Sequence, residues 1–195
     1  AVIDVFEAAA KQRPKDADRP AIPHRIEHVQ MIRPEDVARL RKLGVAACMQ
    51  PTNMILDIHM IDACVGDRGR YTYPFGRILD AGVRTLFSSD APVCDPNPFL
   101  GIHAAVTRQR RDGTPEGGWY PEHRISVEAA LRGYTLTPAE YYGLDAELGS
   151  LSPGKRADLA VLDRDIFTID PAEIADTQVE MTLFDGRVVY DRSAG

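Results

Sequence analysis

The sequence predicts an α/β fold followed by a β appendage, and three observations carry that prediction. Apolar strand candidates alternate with helix candidates that each stop at a glycine, Gly44 after 35–43 and Gly82 after 74–81. The turns between them are short and the strands are apolar runs, as in parallel βα units whose strands are buried on both faces. Beyond Gly149 the pattern changes to short strands around Asp185-Gly186, the two-residue signal of an antiparallel hairpin.

Residues 1–10 read as a helix with Val2, Phe6 and Ala9 on one face, at spacings of four and three. No capping residue and no charged-then-apolar leader precedes it. A helix that starts mid-stride is read either as following a strand that lies outside this chain or as a trimmed terminus. A polar, proline-bounded linker (13–20) leads to a strand at 24–29. Pro34 then opens the helix 35–43 at a first-turn position, where its missing N–H costs nothing. The strand 45–49 ends at Gln50-Pro51, and a long loop with a short helix at 60–65 leads to the helix 74–81. The strand 83–87 ends in Ser88-Ser89-Asp90-Ala91-Pro92. A helix is expected at 99–111, then a Gly/Pro/Trp loop over 112–121, then helices at 127–134, capped by Ser126, and 139–142, opened by Thr137-Pro138. The tail holds a strand at 158–162 and a hairpin over 179–190. Two regions are therefore expected, 1–148 and 149–195.

With 195 residues, 44% hydrophobic and 27% charged, the composition is that of a globular protein and excludes disordered, collagen-like and coiled-coil classes. The net charge of −6 argues against nucleic acid or an anionic membrane surface as a partner. No run approaches the roughly 18 apolar residues of a membrane-spanning helix. Cys48, Cys64 and Cys94 are few, odd in number and without metal-knuckle spacing, which fits small apolar fillers in a reducing cytoplasm.

Reactive groups of parallel α/β folds gather at the carboxyl ends of strands, where the chain leaves the sheet. His28 and Asp90 stand at two such ends. An imidazole and a carboxylate on neighbouring strand ends suit a metal site, with the carboxylate as ligand or proton carrier. The competing reading makes His28 a hydrogen-bonded core residue and Ser-Ser-Asp a turn cap. His24, His59, His103 and His123 read as surface or packing residues, with His59 and His123 in loops. Trp119, Tyr120 and Pro121 suit either a substrate cleft or a loop anchor.

At these residues the chain resembles the amidohydrolase superfamily, in the branch of the N-substituted formamide deformylases, the YtcJ-like proteins. The resemblance runs in order through His24-Arg25-Ile26-Glu27-His28, Leu43-Gly44-Val45, Gln50-Pro51, Leu79-Asp80-Ala81-Gly82-Val83, Ser89-Asp90-Ala91-Pro92-Val93, Ala104-Ala105-Val106-Thr107-Arg108 and the stretch from Gly149 to Leu159. It implies the carboxyl-terminal part of a metal-dependent (β/α)8 (TIM) barrel with a small β-sandwich appendage. It implies His28 as the metal ligand ending the sixth strand and Asp90 as the aspartate of the eighth, a metal ligand and catalytic proton shuttle. Arg68, Tyr71 and Arg108 fall at substrate-side positions. Asn53 stands where many relatives carry histidine. The implied cofactor is a divalent metal, zinc first, and the implied substrate a small amide or formamide. The family's His-x-His pair and fifth-strand histidine have no counterpart here, so at most two ligands remain. Two functions stay open: part of a metal-dependent C–N hydrolase, or a non-catalytic fragment or half-barrel that needs a partner chain. Open sheet edges predict self-association.

Overall fold

The computed structural model describes residues 1–12 and 22–194, so the linker expected at 13–20 lies outside the described residues. Strands β1 (Arg25–Glu27), β2 (Ala46–Met49) and β3 (Thr85–Phe87) form one parallel sheet in that spatial order. Parallel neighbours need a crossover, and each crossover here contains helix. Between β1 and β2 lies α2 (Pro34–Leu43); between β2 and β3 lie α3 (Pro51–Val65), a 3-10 turn (Gly66–Tyr71) and α4 (Phe75–Asp80). Gly44 stops α2 at φ 66°, a left-handed conformation open to glycine at little cost, and returns its N–H to the carbonyls of Leu40 and Arg41.

Ahead of the sheet, α1 (Val2–Gln12) packs through Ile3 and Phe6, not through the Val2–Phe6–Ala9 face that spacing suggests. Asp4 and Glu7 on this helix both bind Arg39 of α2, on the side next to this packing face. A larger difference follows β2. Where a long loop was expected, α3 starts at Pro51 and runs unbroken for 15 residues. Met54, Ile58 and Ile61 keep helical spacing and are buried, but Thr52, Asn53 and Asp57 among them blur the apolar stripe. His59 is therefore helical.

Beyond β3, α5 (Pro98–Thr107) is capped by the Asn97 side chain, α6 (Val127–Tyr134) by Ser126, and α7 (Leu136–Tyr142) follows. The expected extension of α5 to residue 111 fails because Arg108 turns left-handed, at φ 56°. Gly133 of α6 lets the Phe87 ring close in, and that ring meets Phe75 edge-on at 5.5 Å and Tyr134 at 5.6 Å. The opposite sheet face is small, Ala46, Cys48 and Leu86, and is met by Tyr141.

In the tail, β4 (Leu159–Leu162), β5 (Val179–Phe184) and β6 (Arg187–Asp191) form a separate antiparallel sheet. Asp185 (φ 50°) and Gly186 (φ 75°) make the turn between β5 and β6, both with the positive φ of a type I′ hairpin. A 3-10 turn between β4 and β5 (Pro171–Asp176) inserts Ile174 into the main core beside α5. The described residues thus form an α/β unit with three parallel strands and an attached antiparallel sheet, not a closed barrel.

Candidate functional site

The three parallel strands deliver three polar groups at their carboxyl ends: His28 after β1, Gln50 after β2, and Ser88 to Asp90 after β3. The sheet ladder continues one step past the strands. The His28 N–H donates to the Cys48 carbonyl at 2.7 Å, and the Ser88 N–H donates to the Met49 carbonyl at 3.0 Å. The chain then breaks sharply: His28 (φ 70°), Val29 (φ 40°) and Asp90 (φ 60°) are all left-handed. Such residues cost about 1–3 kcal/mol each and persist where their surroundings over-determine them. Both sequence-selected residues are in this class.

The start of α3 supplies the surroundings. Gln50, just before the helix, takes the His28 ring: Oε1 lies 3.0 Å from Nδ1. Its Nε2 donates to Ser88 Oγ at 2.9 Å. Three residues on, Asn53 Nδ2 donates to Asp90 Oδ2 at 3.1 Å, while Asn53 Oδ1 accepts from the Cys94 thiol at 2.9 Å. His28 and Asp90 are therefore joined through one helical turn, each to its own amide, and not directly to each other. Gln50 and Asn53 are buried amides. Beyond the family resemblance, which includes Gln50-Pro51, the sequence signal for them is two amides at spacing three around a proline that opens a helix.

Below this rim, the Glu27 carboxylate faces the Cys48 thiol. Burial opposes ionisation of Glu27, yet hydrogen bonds from Cys48 and Arg25 outweigh it and lower its pKa. Burial, then the Glu27 carboxylate, pushes the Cys48 thiol up to about 11. Beside the site, Tyr73 donates to Asp57 Oδ2 at 2.5 Å and accepts from Gln30 at 2.8 Å; burial raises its phenol well above the ordinary value.

The substrate-side candidates do not gather at this rim. Arg68 is exposed on the 3-10 turn, and Tyr71 is half-buried under the cation of Arg70, 5.8 Å away. Arg108 is 0% exposed: its guanidinium donates to the carbonyls of Trp119 (2.5 Å) and Tyr73 (2.8 Å) and lies between the rings of Phe75 and Trp119. A residue so enclosed serves as a clamp between loop and helix. Trp119 is a loop anchor, donating from Nε1 to Asp62 at 3.0 Å. His123 is buried, in a 3-10 turn and not a loop, with Nε2 at 3.0 Å from the Arg70 carbonyl. His103 is buried in α5 and His24 stacks on Phe6. Cys48 is a buried filler, whereas Cys64 is exposed.

Metal ligation needs an imidazole lone pair and a carboxylate oxygen, and a catalytic zinc takes three protein ligands plus water. Among the described residues, His28 Nε2 and Asp90 Oδ1 have no hydrogen-bond partner. The donor types suit a divalent metal, but their number does not. Among the described residues, no group of three or more His, Cys, Asp or Glu side chains converges.

Comparison with known proteins places these observations. A model of the amidohydrolase family matches residues 1–190, and the chain belongs to that family. Within it, the chain is 31% identical over 194 residues to the N-substituted formamide deformylase of Arthrobacter pascens, covering 98% of this chain and 34% of that protein. It is 27% identical over 190 residues to YtcJ of Bacillus subtilis, covering 97% of this chain and 35% of that one. The chain thus lies in the YtcJ-like branch and spans about a third of the length of these relatives. Among solved structures, an uncharacterised metal-dependent hydrolase of Pyrococcus horikoshii superposes with a TM-score of 0.69 at 27% identity, over 87% of this chain and 32% of that one.

Proposed function

We propose that this chain forms the carboxyl-terminal sector of a metal-dependent hydrolase of non-peptide carbon–nitrogen bonds, with small amides or formamides as substrates. The observation that carries this reading is the pairing of His28 and Asp90. Both sit at carboxyl ends of parallel strands, both are left-handed, and each is held by an amide of one α3 turn. The β1–β3 sheet is then a sector of a (β/α)8 barrel over 1–148, and 149–195 its β-sandwich appendage. A divalent metal, zinc by the imidazole–carboxylate donor set, would be held partly by His28 Nε2 and Asp90, and supplies acidification of water and polarisation of the scissile carbonyl.

In this reading Asp90 accepts a proton from the attacking water and returns it to the leaving nitrogen, a general base turned general acid. Asn53 occupies one Asp90 oxygen and leaves the other to carry that proton. Arg68 and Tyr71 remain candidates for substrate contact; enclosure of Arg108 limits it to shaping the wall. The three free cysteines support a cytoplasmic setting, and among the described residues no helix is long and apolar enough to cross a membrane.

A chimera tests the proposal: this segment replaces the matching third of the Arthrobacter pascens deformylase. Expected is zinc-dependent release of formate from N-substituted formamides, lost by at least about 100-fold with Asp90→Asn, in line with removal of a general acid–base. A folded, zinc-loaded chimera in which Asp90→Asn retains full turnover overturns it. One observation favours a second reading, a sector that works only beside another chain: too few ligands converge, and Phe184, Val188, Val189 and Tyr190 are exposed on the tail sheet. This chain by itself is expected to show no enzymatic turnover and to self-associate in light scattering.

A further inference from the structure

We infer that Gln50 is a positioning residue that fixes the His28 ring as the Nδ1–H tautomer, presenting the Nε2 lone pair at the strand ends. The inference deepens the metal-hydrolase reading and rests on it for its purpose, but its evidence is the hydrogen-bond polarity around Gln50. A primary amide offers one acceptor and two donors, so its neighbours decide which end faces the imidazole. Gln50 is 2% exposed and cannot satisfy its amide with bulk water.

The polarity can be followed across the sheet. Cys48 Sγ and Ser88 Oγ can each accept a hydrogen bond, and the nitrogen end of the Gln50 amide meets both: Nε2 points to Cys48 Sγ at 3.9 Å. The same Nε2 donates to Ser88 Oγ at 2.9 Å. Both contacts use the nitrogen end of the amide, so Oε1 is the end turned to His28, 3.0 Å from Nδ1. An amide oxygen can only accept. Nδ1 therefore carries the proton, and Nε2 is the unprotonated nitrogen. A ligand histidine is commonly oriented in this way by a hydrogen bond to its other ring nitrogen. The feature belongs to β2 and α3 together: β2 brings Cys48, its end brings Gln50, and the neighbouring strands bring His28 and Ser88.

The test is the tautomer of neutral His28 in this chain without metal, read from long-range 1H–15N correlations of the ring and assigned with His28→Gln. Expected is Nδ1–H over Nε2–H by about tenfold, the ratio one ordinary hydrogen bond sustains. Gln50→Met removes the acceptor and shifts the ratio by about the same factor toward Nε2–H. Gln50→Glu keeps an acceptor and retains Nδ1–H, a rescue that a merely space-filling role does not produce. A majority of Nε2–H in the unsubstituted chain overturns the inference even if Gln50→Met fails to fold; so does an unchanged ratio in folded Gln50→Met. Neither readout involves metal or turnover, so failure here leaves the chimera result standing, and failure of the chimera leaves the tautomer standing.

Discussion

Strands β2 and β3 are buried at every position, whereas β5 is only half-buried and β6 is exposed at four of its five. The two sheets are comparable in size, yet they are held by different forces. The parallel sheet is fixed by side chains on both faces: Met49, Phe75 and Phe87 toward the helices, Ala46, Cys48 and Leu86 toward Tyr141. The antiparallel sheet is fixed by its ladder, its Asp185-Gly186 turn and an anchor, Ile174, driven into the core beside α5, with Leu162, Ile169 and Val179 half-buried against the same core. Rigid packing surrounds the strand ends that carry His28 and Asp90, and the tail is tethered to that body. A site that needs fixed geometry belongs on the first kind of sheet.

The contrast is broken most severely at Phe87. Phe87→Ala removes a ring held between Phe75 and Tyr134 and is expected to cost about 3–5 kcal/mol in denaturant unfolding. Next comes Gly133→Ala, whose new Cβ would fall 2.3 Å from the Phe87 ring; overpacking there is expected to cost about 1–3 kcal/mol. Acid should act on the same body. Burial lowers the pKa of His103 and His123 from 6.5, so the folded chain refuses protons that the unfolded chain accepts. Their stabilising contribution is full above that value and is lost as pH falls below it, by up to about 1.4 kcal/mol per pH unit for each histidine. Chemical denaturation at pH 7 and pH 5, with and without His123→Gln, measures the share of one. The smallest effect is expected on the tail: Val189→Thr should change stability by less than about 0.5 kcal/mol, yet reduce self-association seen by light scattering. A tail substitution that costs as much as Phe87→Ala removes the distinction between the sheets.

The parts legible from the residues are those whose cause is local. Gly44 and Gly186 mark a helix stop and a turn because both places require a positive φ. Pro34 and Ser126 mark helix starts through the chemistry of the first turn. His28 and Asp90 stand out because strand ends are where such folds expose chemistry, and the family resemblance follows from the ordered motifs. What was not legible depends on residues far away in the chain. Gln50 finds Ser88 38 positions later, and Asn53 finds Asp90 37 later. Arg108 offers the same sequence signal as a surface cation until Tyr73 and Trp119 enclose it. The unbroken α3 is hidden because its core-facing turn mixes Asn53 with Met54 and Ile58, and periodicity cannot tell a buried amide with a partner from a loop residue.

By itself the sequence determined the element types outside α3, the change from parallel to antiparallel architecture near Gly149, and the two residues aimed at the strand ends. Turn dihedrals, caps and apolar periods are short-range and are written within a few neighbouring residues. Only the tertiary structure decided how those residues are held, that His28 and Asp90 are each bound by an amide of one helical turn, that Arg108 is enclosed, and that Ile174 fastens the tail. Hydrogen-bond polarity and burial are properties of partners, and the sheet has to assemble before residues nearly forty positions apart become partners at all.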